Sequence, residues 1–181
     1  MDVLPTDLPG VVVLEPHPFT DERGLFARTW DPEVMAAHGL DTRIAQCSTS
    51  WSATRGTLRG LHLQVAPHEE AKLVRCTAGA VWDVAVDLRP GSPTWGRWTA
   101  VELSADSRRA VYLPKGFAHG FVTLTDGAEV FYQISEPYRP ESARGIRWDD
   151  PAIGVRWPLE PSVVSDKDRS WPALDAAGVP G

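Results

Sequence analysis

Val81-Trp-Asp-Val-Ala-Val-Asp-Leu88 decides the reading of the fold. Trp82, Val84, Val86 and Leu88 fall on one face of an extended chain and Asp83 and Asp87 on the other, which predicts a strand buried on one side and wet on the other. The run Ala128 to Ser135 repeats the alternation, with Ala128, Val130, Tyr132 and Ile134 sharing a face. In that apolar row only Tyr132 carries a hydroxyl. Turn signals at Gly79, Pro90-Gly91, Asp106, Pro114 to Gly116, Asp126-Gly127 and Pro137 recur about every ten residues, the spacing of an all-β sandwich or barrel. One short helix is expected: Asp31 caps it, Pro32 suits its first position, and Gly39 stops a segment running through Val34, Met35 and Ala36. A chain so rich in strands must bury or close its edges. The expected architecture is therefore an all-β jelly roll around a ligand cavity, with a few short helices.

The 181 residues, 43% of them hydrophobic, fit one domain spanning 1–181. Lys and Arg number 18 against 24 Asp and Glu, a net charge of −6. No basic field is available for a polyanion, so nucleic acid is not expected as a partner. The aliphatic stretch Val11 to Leu14 is far shorter than the roughly 20 apolar residues of a membrane span, and no positively charged segment precedes it. A soluble, cytoplasmic protein is expected. Cys47 and Cys76 form no Cys-x-x-Cys, which leaves neither a disulfide framework nor a four-thiolate metal site.

Four segments concentrate the unusual polar residues: Asp21-Glu-Arg-Gly24, Leu58 to Gln64, Pro114 to Phe121 and Ser165-Asp-Lys-Asp168. At strand spacing His62 and Gln64 share a face, and Arg59 points across from them. Trp30, Trp51 and Trp95 lie beside turns, where an indole can stack on a base or sugar ring. His17, His38 and His68 read as solvated loop or helix-end histidines.

Read together, Leu58-Arg-Gly-Leu-His62-x-Gln64, Lys72-Leu-Val-Arg75 followed by Val84-Ala-Val-Asp87, Pro114-x-Gly-Phe-Ala-His119-Gly-Phe121, Arg144-Gly-Ile-Arg-Trp148-x-Asp150-Pro151 and Ser165-x-Lys-Asp168 resemble the dTDP-4-dehydrorhamnose 3,5-epimerases of the cupin superfamily. The resemblance runs from about Phe19 to Pro172. It implies a cupin-type jelly roll and an isomerase that works without cofactor or metal on a nucleotide-linked 4-keto-6-deoxyhexose. It also implies a homodimer that exchanges its N-terminal strand region. A ketone at sugar carbon 4 acidifies the hydrogens on carbons 3 and 5, and inversion at one or both of them needs a base, an acid on the opposite face and a stabilised enolate. By resemblance His62 is the base, Asp168 the carboxylate that holds its imidazole, Tyr132 the acid and Lys72 the cation beside the ketone oxygen. Arg59 and Arg23 match positions that grip the diphosphate. Gln46, His119 and Tyr138 match further substrate-binding positions, and Phe26 lies in the segment donated to the partner's nucleotide pocket.

Two departures bear on substrate choice. Arg28 stands where the family usually has a base-contacting Glu, and Gln46-Cys-Ser-Thr-Ser50 replaces the usual Gln-x-Asn stretch. Two other readings share the fold. A metal-dependent cupin, a dioxygenase or isomerase, would have only His62, His119 and Glu70 as ligands, because Gln64 takes the place of a second motif histidine. A non-catalytic sugar-nucleotide binder would keep the pocket without base or acid.

Overall fold

The computed structural model describes residues 1–174. The chain enters through β1 (Asp2–Pro5) and β2 (Val12–Glu15), then forms a separate hairpin of β3 (Phe19–Asp21) and β4 (Gly24–Phe26). Helix α1 (Pro32–Ala37) follows. The body consists of β5 (Gln46–Ser52), β6 (Thr57–Gln64), β7 (Lys72–Ala78), β8 (Ala80–Asp87), β9 (Trp98–Ser104), β10 (Ala110–Leu113), β11 (Phe117–Thr123) and β12 (Ala128–Ile134). The short elements β13 (Ala143–Gly145), β14 (Val163–Val164) and α2 (Asp166–Ser170) complete it.

Two sheets result, ordered β1-β2-β10-β7-β12-β5 and β13-β6-β11-β8-β9. Their inner faces share one core, in which Val74, Val111 and Val130 of the first sheet pack with Val81, Ala85 and Phe121 of the second. The outer face of the first sheet is covered by α1, through Met35 against Leu14, Leu73 and Ala110. The outer face of the second is covered by the C-terminal segment, through Ile146, Ile153 and Leu174 against Leu61, Val84 and Val86.

That double cover corrects the reading of residues 81–88. The strand is buried on both faces, because the C-terminal segment roofs the row of Trp82, Val84, Val86 and Leu88. Asp83 and Asp87 point inward, not to water, and both are buried. Each is held by partners: Asp83 by His119, and Asp87 by Arg89, Ser92 and Thr94. A buried carboxylate needs such donors, since uncompensated charge is strongly disfavoured away from water.

The helix matches expectation, with Asp31 accepting from the amides of Glu33 and Val34 and Pro32 in its first turn. Among the described residues no helix is long and apolar enough to cross a membrane. Cys47 and Cys76 are both free thiols.

Candidate active site

Strand β6 carries the residue around which the site is built. Its pairing with β11 matches His119 to His62 but Phe121 to Arg59, so β6 holds one extra residue between those two rungs. The bulge falls at Gly60-Leu61. Gly60 has φ +135°, and a Cβ there would lie 2.5 Å from the Cα of Gly120, so close strand approach requires glycine. One extra residue switches the face of everything before it. Arg59, expected to point away from His62 and Gln64, therefore lines the same cavity as both.

The cavity encloses about 440 Å³ between the two sheets. From the second sheet His62, Gln64 and His119 face it, and from the first come Gln46, Lys72 and Tyr132, with Tyr138 just beyond β12. Eight of the ten residues expected at the site thus meet on one cavity: His62, Asp168, Tyr132, Lys72, Gln46, Arg59, His119 and Tyr138. Arg23 and Phe26 do not join them in this chain. They sit on the β3–β4 hairpin, where Arg23 is paired with Asp21 and Phe26 is 69% exposed.

His62 Nε2 lies 2.6 Å from Asp168 Oδ1, with the imidazole 40% exposed toward the cavity and the carboxylate almost wholly buried. The other carboxylate oxygen accepts from the amide of Gly60 in the bulge, and the Ser165 hydroxyl accepts from the Asp168 amide. One aspartate thus fixes both the ring and the bend of the strand that presents it. Burial alone would raise the Asp168 carboxyl, but its hydrogen bond with His62, the nearby imidazole charge and the Gly60 amide outweigh it and hold the group below the ordinary carboxylate value.

A second imidazole-carboxylate pair lies beside the first: His119 Nε2 is 2.8 Å from Asp83 Oδ2, and both side chains are buried. The His119 ring meets Tyr132 edge to face at 6.1 Å. Burial pushes the Tyr132 phenol well above its ordinary value, and the negative charge of Asp83 adds to the effect. Lys72 Nζ is 2.9 Å from Glu70 and 3.4 Å from the carbonyl oxygen of His62, which it approaches as donor. Arg59 donates to the Ser52 hydroxyl and the Trp51 carbonyl, neutral acceptors that leave its charge uncompensated by them.

Several participants escaped the sequence reading. Trp171 lines the cavity and meets His62 edge to face at 6.2 Å, whereas Trp30, Trp51 and Trp95 do not line it. Proximity of Trp171 to Asp168 in a capped turn was the only available signal. Asp83, expected on a wet face, instead backs His119 inside the protein. His68 is tied to Glu136 at 3.3 Å and is not merely solvated. Arg28 lies off the cavity, with its guanidinium on the Asp31 carboxylate at 2.9 Å. Of the incomplete ligand set left to a metal-dependent cupin, His62 contacts Asp168, His119 contacts Asp83 and Glu70 contacts Lys72. Among the described residues no three His, Cys, Asp or Glu are grouped to hold a metal ion.

Comparison with known proteins gives a consistent result. The family model for dTDP-4-dehydrorhamnose 3,5-epimerase matches residues 5–176. The enzyme of that description from Methanothermobacter thermautotrophicus is 47% identical over 172 residues, covering 93% of this chain and 92% of its own. The crystal structure of the Bacillus anthracis dTDP-4-dehydrorhamnose 3,5-epimerase with TDP and pyrophosphate bound superposes with a TM-score of 0.92 at 40% identity, over 96% of this chain and 99% of that one. The Legionella pneumophila enzyme in complex with dTDP-4-keto-L-rhamnose gives 0.91 at 38% identity, over 99% and 97% of the two chains.

Proposed function

The chain belongs to the dTDP-4-dehydrorhamnose 3,5-epimerase family of cupin-fold isomerases, and from that premise we propose that His62 and Tyr132 are the base and the acid that epimerise a dTDP-linked 4-keto-6-deoxyhexose. The observation that carries this reading is the Asp168-backed imidazole on one sheet and the half-buried phenol of Tyr132 on the other, both on one cavity. His62 takes the hydrogen from the carbon next to the ketone, and Asp168 stabilises the imidazolium that forms. The electron pair moves onto the ketone oxygen, where the ammonium of Lys72, poised beside His62, stabilises the enolate. Tyr132 returns a proton to the opposite face of the ring. Its depressed acidity supports this role, since the phenol stays protonated until the enolate carbon demands its hydrogen.

The diphosphate brings negative charge to an acidic protein. Arg59, which among the described residues donates to neutral oxygens at Trp51 and Ser52, is the cation we assign to it, because the forked donors of a guanidinium suit phosphate oxygens. Arg23 and Phe26 serve the site only in a homodimer. In their hairpin Phe19, Leu25 and Phe26 are all exposed, an unusual concentration of bare apolar surface that a second copy of the chain would cover. In this reading a single domain carries the reacting residues, the dimer completes its nucleotide pocket, and neither metal nor organic cofactor takes part.

Incubation with dTDP-4-keto-6-deoxyglucose in heavy water, followed by proton NMR, tests the reading. Loss of the carbon 3 and carbon 5 proton signals supports it, and their retention over many enzyme equivalents contradicts it. Light scattering tests the dimer: a mass of two chains is expected for the parent, and a shift toward one chain for Phe26→Asp.

A further inference from the structure

Gln64 lines the cavity, yet its amide is occupied within the protein. The side chain is 3% exposed. Its Nε2 donates to the carbonyl oxygens of His68 at 2.9 Å and Pro137 at 3.2 Å, and its Oε1 accepts from the amide of Arg139 at 2.5 Å. Both N–H donors are thereby used, so the group has little left to offer a substrate.

What the amide holds is the strap that leaves β12 and contributes Glu136 and Tyr138 to the lining of the cavity. The amide of Tyr138 donates to Gln46 Oε1 on β5, and the next amide, of Arg139, donates to Gln64 on β6. Two glutamines from opposing sheets therefore catch successive rungs of one strap. At its start Glu136 is held by His68 at 3.3 Å and by Arg43 at 3.0 Å, and the carbonyl oxygen of the same His68 is fixed by Gln64. Tyr138, 57% exposed at the rim, has its ring placed by this backbone and not by burial.

We infer that Gln64 is a positioning residue for substrate binding: its buried amide pre-forms the 136–139 strap so that Tyr138 meets the nucleotide half of the substrate without first being ordered. The inference rests on the proposed function, which places the reacting sugar at His62 and leaves the rim to the nucleotide. A strap ordered beforehand spares the complex the entropy of immobilising it, so the effect falls on affinity and leaves the chemical step intact.

The experiment compares the parent with Gln64→Met, Tyr138→Ala and the double variant, by calorimetric titration with dTDP and by epimerisation kinetics. Gln64→Met is expected to weaken dTDP binding and raise KM roughly tenfold while kcat stays within about twofold of the parent. In the Tyr138→Ala background the same change should cost less than about twofold, because residues that act as a unit are not additive. Parental dTDP affinity in Gln64→Met overturns the inference, as does an undiminished effect of Gln64→Met in the absence of the Tyr138 ring. A fall in kcat at parental KM overturns it too, because Gln64 would then serve the reaction centre. Should Gln64→Met not fold, Gln64→Glu, which keeps the acceptor for Arg139 and loses both donors, is read by the same criteria. A parent chain with no affinity for dTDP overturns the functional reading itself, and the inference with it.

Discussion

His62 and His119 are direct partners across the β6–β11 ladder, and each is backed by its own aspartate, Asp168 and Asp83. Adjacent strands thus bring two imidazole-carboxylate pairs to one wall of the cavity. Exposure separates them: the His62 ring is open to the cavity, whereas His119 is buried against Tyr132. This difference in exposure is why the proposed function gives the part of the base to His62.

Replacing Asp168 by Asn removes the charge that stabilises the His62 imidazolium while keeping the shape of the side chain. Epimerisation is expected to fall by roughly 10²- to 10⁴-fold with dTDP affinity within about threefold of the parent. Stability should respond to pH as well. The folded carboxyl lies below its ordinary value of 3.8, so its contribution is present above that value and is lost as the pH falls through the folded one. Acid titration of thermal unfolding below about pH 4 should show a shallower loss in Asp168→Asn than in the parent.

Tyr132→Phe should separate proton removal from net inversion. Deuterium still enters the substrate through His62, but epimer formation falls by about 10² or more, because the opposite face has lost its proton source. Since burial raises the phenol above 10.0, the parent should keep its inversion-to-exchange ratio constant across the neutral and mildly alkaline range. Equal loss of exchange and inversion would assign Tyr132 a structural part only.

Lys72 and Glu70 form a nearly buried pair, and removing one partner leaves the other charged and unmatched. Lys72→Met is expected to reduce kcat by about 10² and to destabilise the fold by about 3 kcal/mol. Adding Glu70→Gln to that variant should restore most of the stability and none of the activity. Thermal unfolding beside kinetics distinguishes the two losses.

Gly60→Ala places a Cβ against the Gly120 backbone at a φ that favours glycine. The bulge that turns Arg59 and His62 to the same side cannot form unstrained, and a loss of about 3 kcal/mol or more is expected. Denaturant unfolding measures it, and the folded remainder should show impaired dTDP binding as well as impaired exchange.

Much of this was legible in the sequence, for identifiable reasons. The alternation of Ala128 to Ile134 and the Asp31-Pro32 start of α1 are local signals, and both elements formed as expected. Eight of the ten expected site residues gather on the cavity, six of them on strands, Asp168 on α2 and Tyr138 just beyond β12. Non-local events were hidden. Asp83 and Asp87 read as solvated because nothing in residues 81–88 announces that the C-terminal segment roofs the opposite face. Arg59 read as pointing away because a bulge is a pairing event between β6 and β11, invisible in either strand alone. Trp171 escaped notice because its place beside His62 depends on α2 folding back onto β6, where Asp168 reaches His62 and Gly60.

The role of His62 is tested most directly by following deuterium incorporation at carbons 3 and 5 of dTDP-4-keto-6-deoxyglucose with the parent and with His62→Ala. Rapid loss of these proton signals is predicted with the parent, and none above the uncatalysed rate with a variant that still binds dTDP. Exchange at the parental rate in His62→Ala would contradict the account.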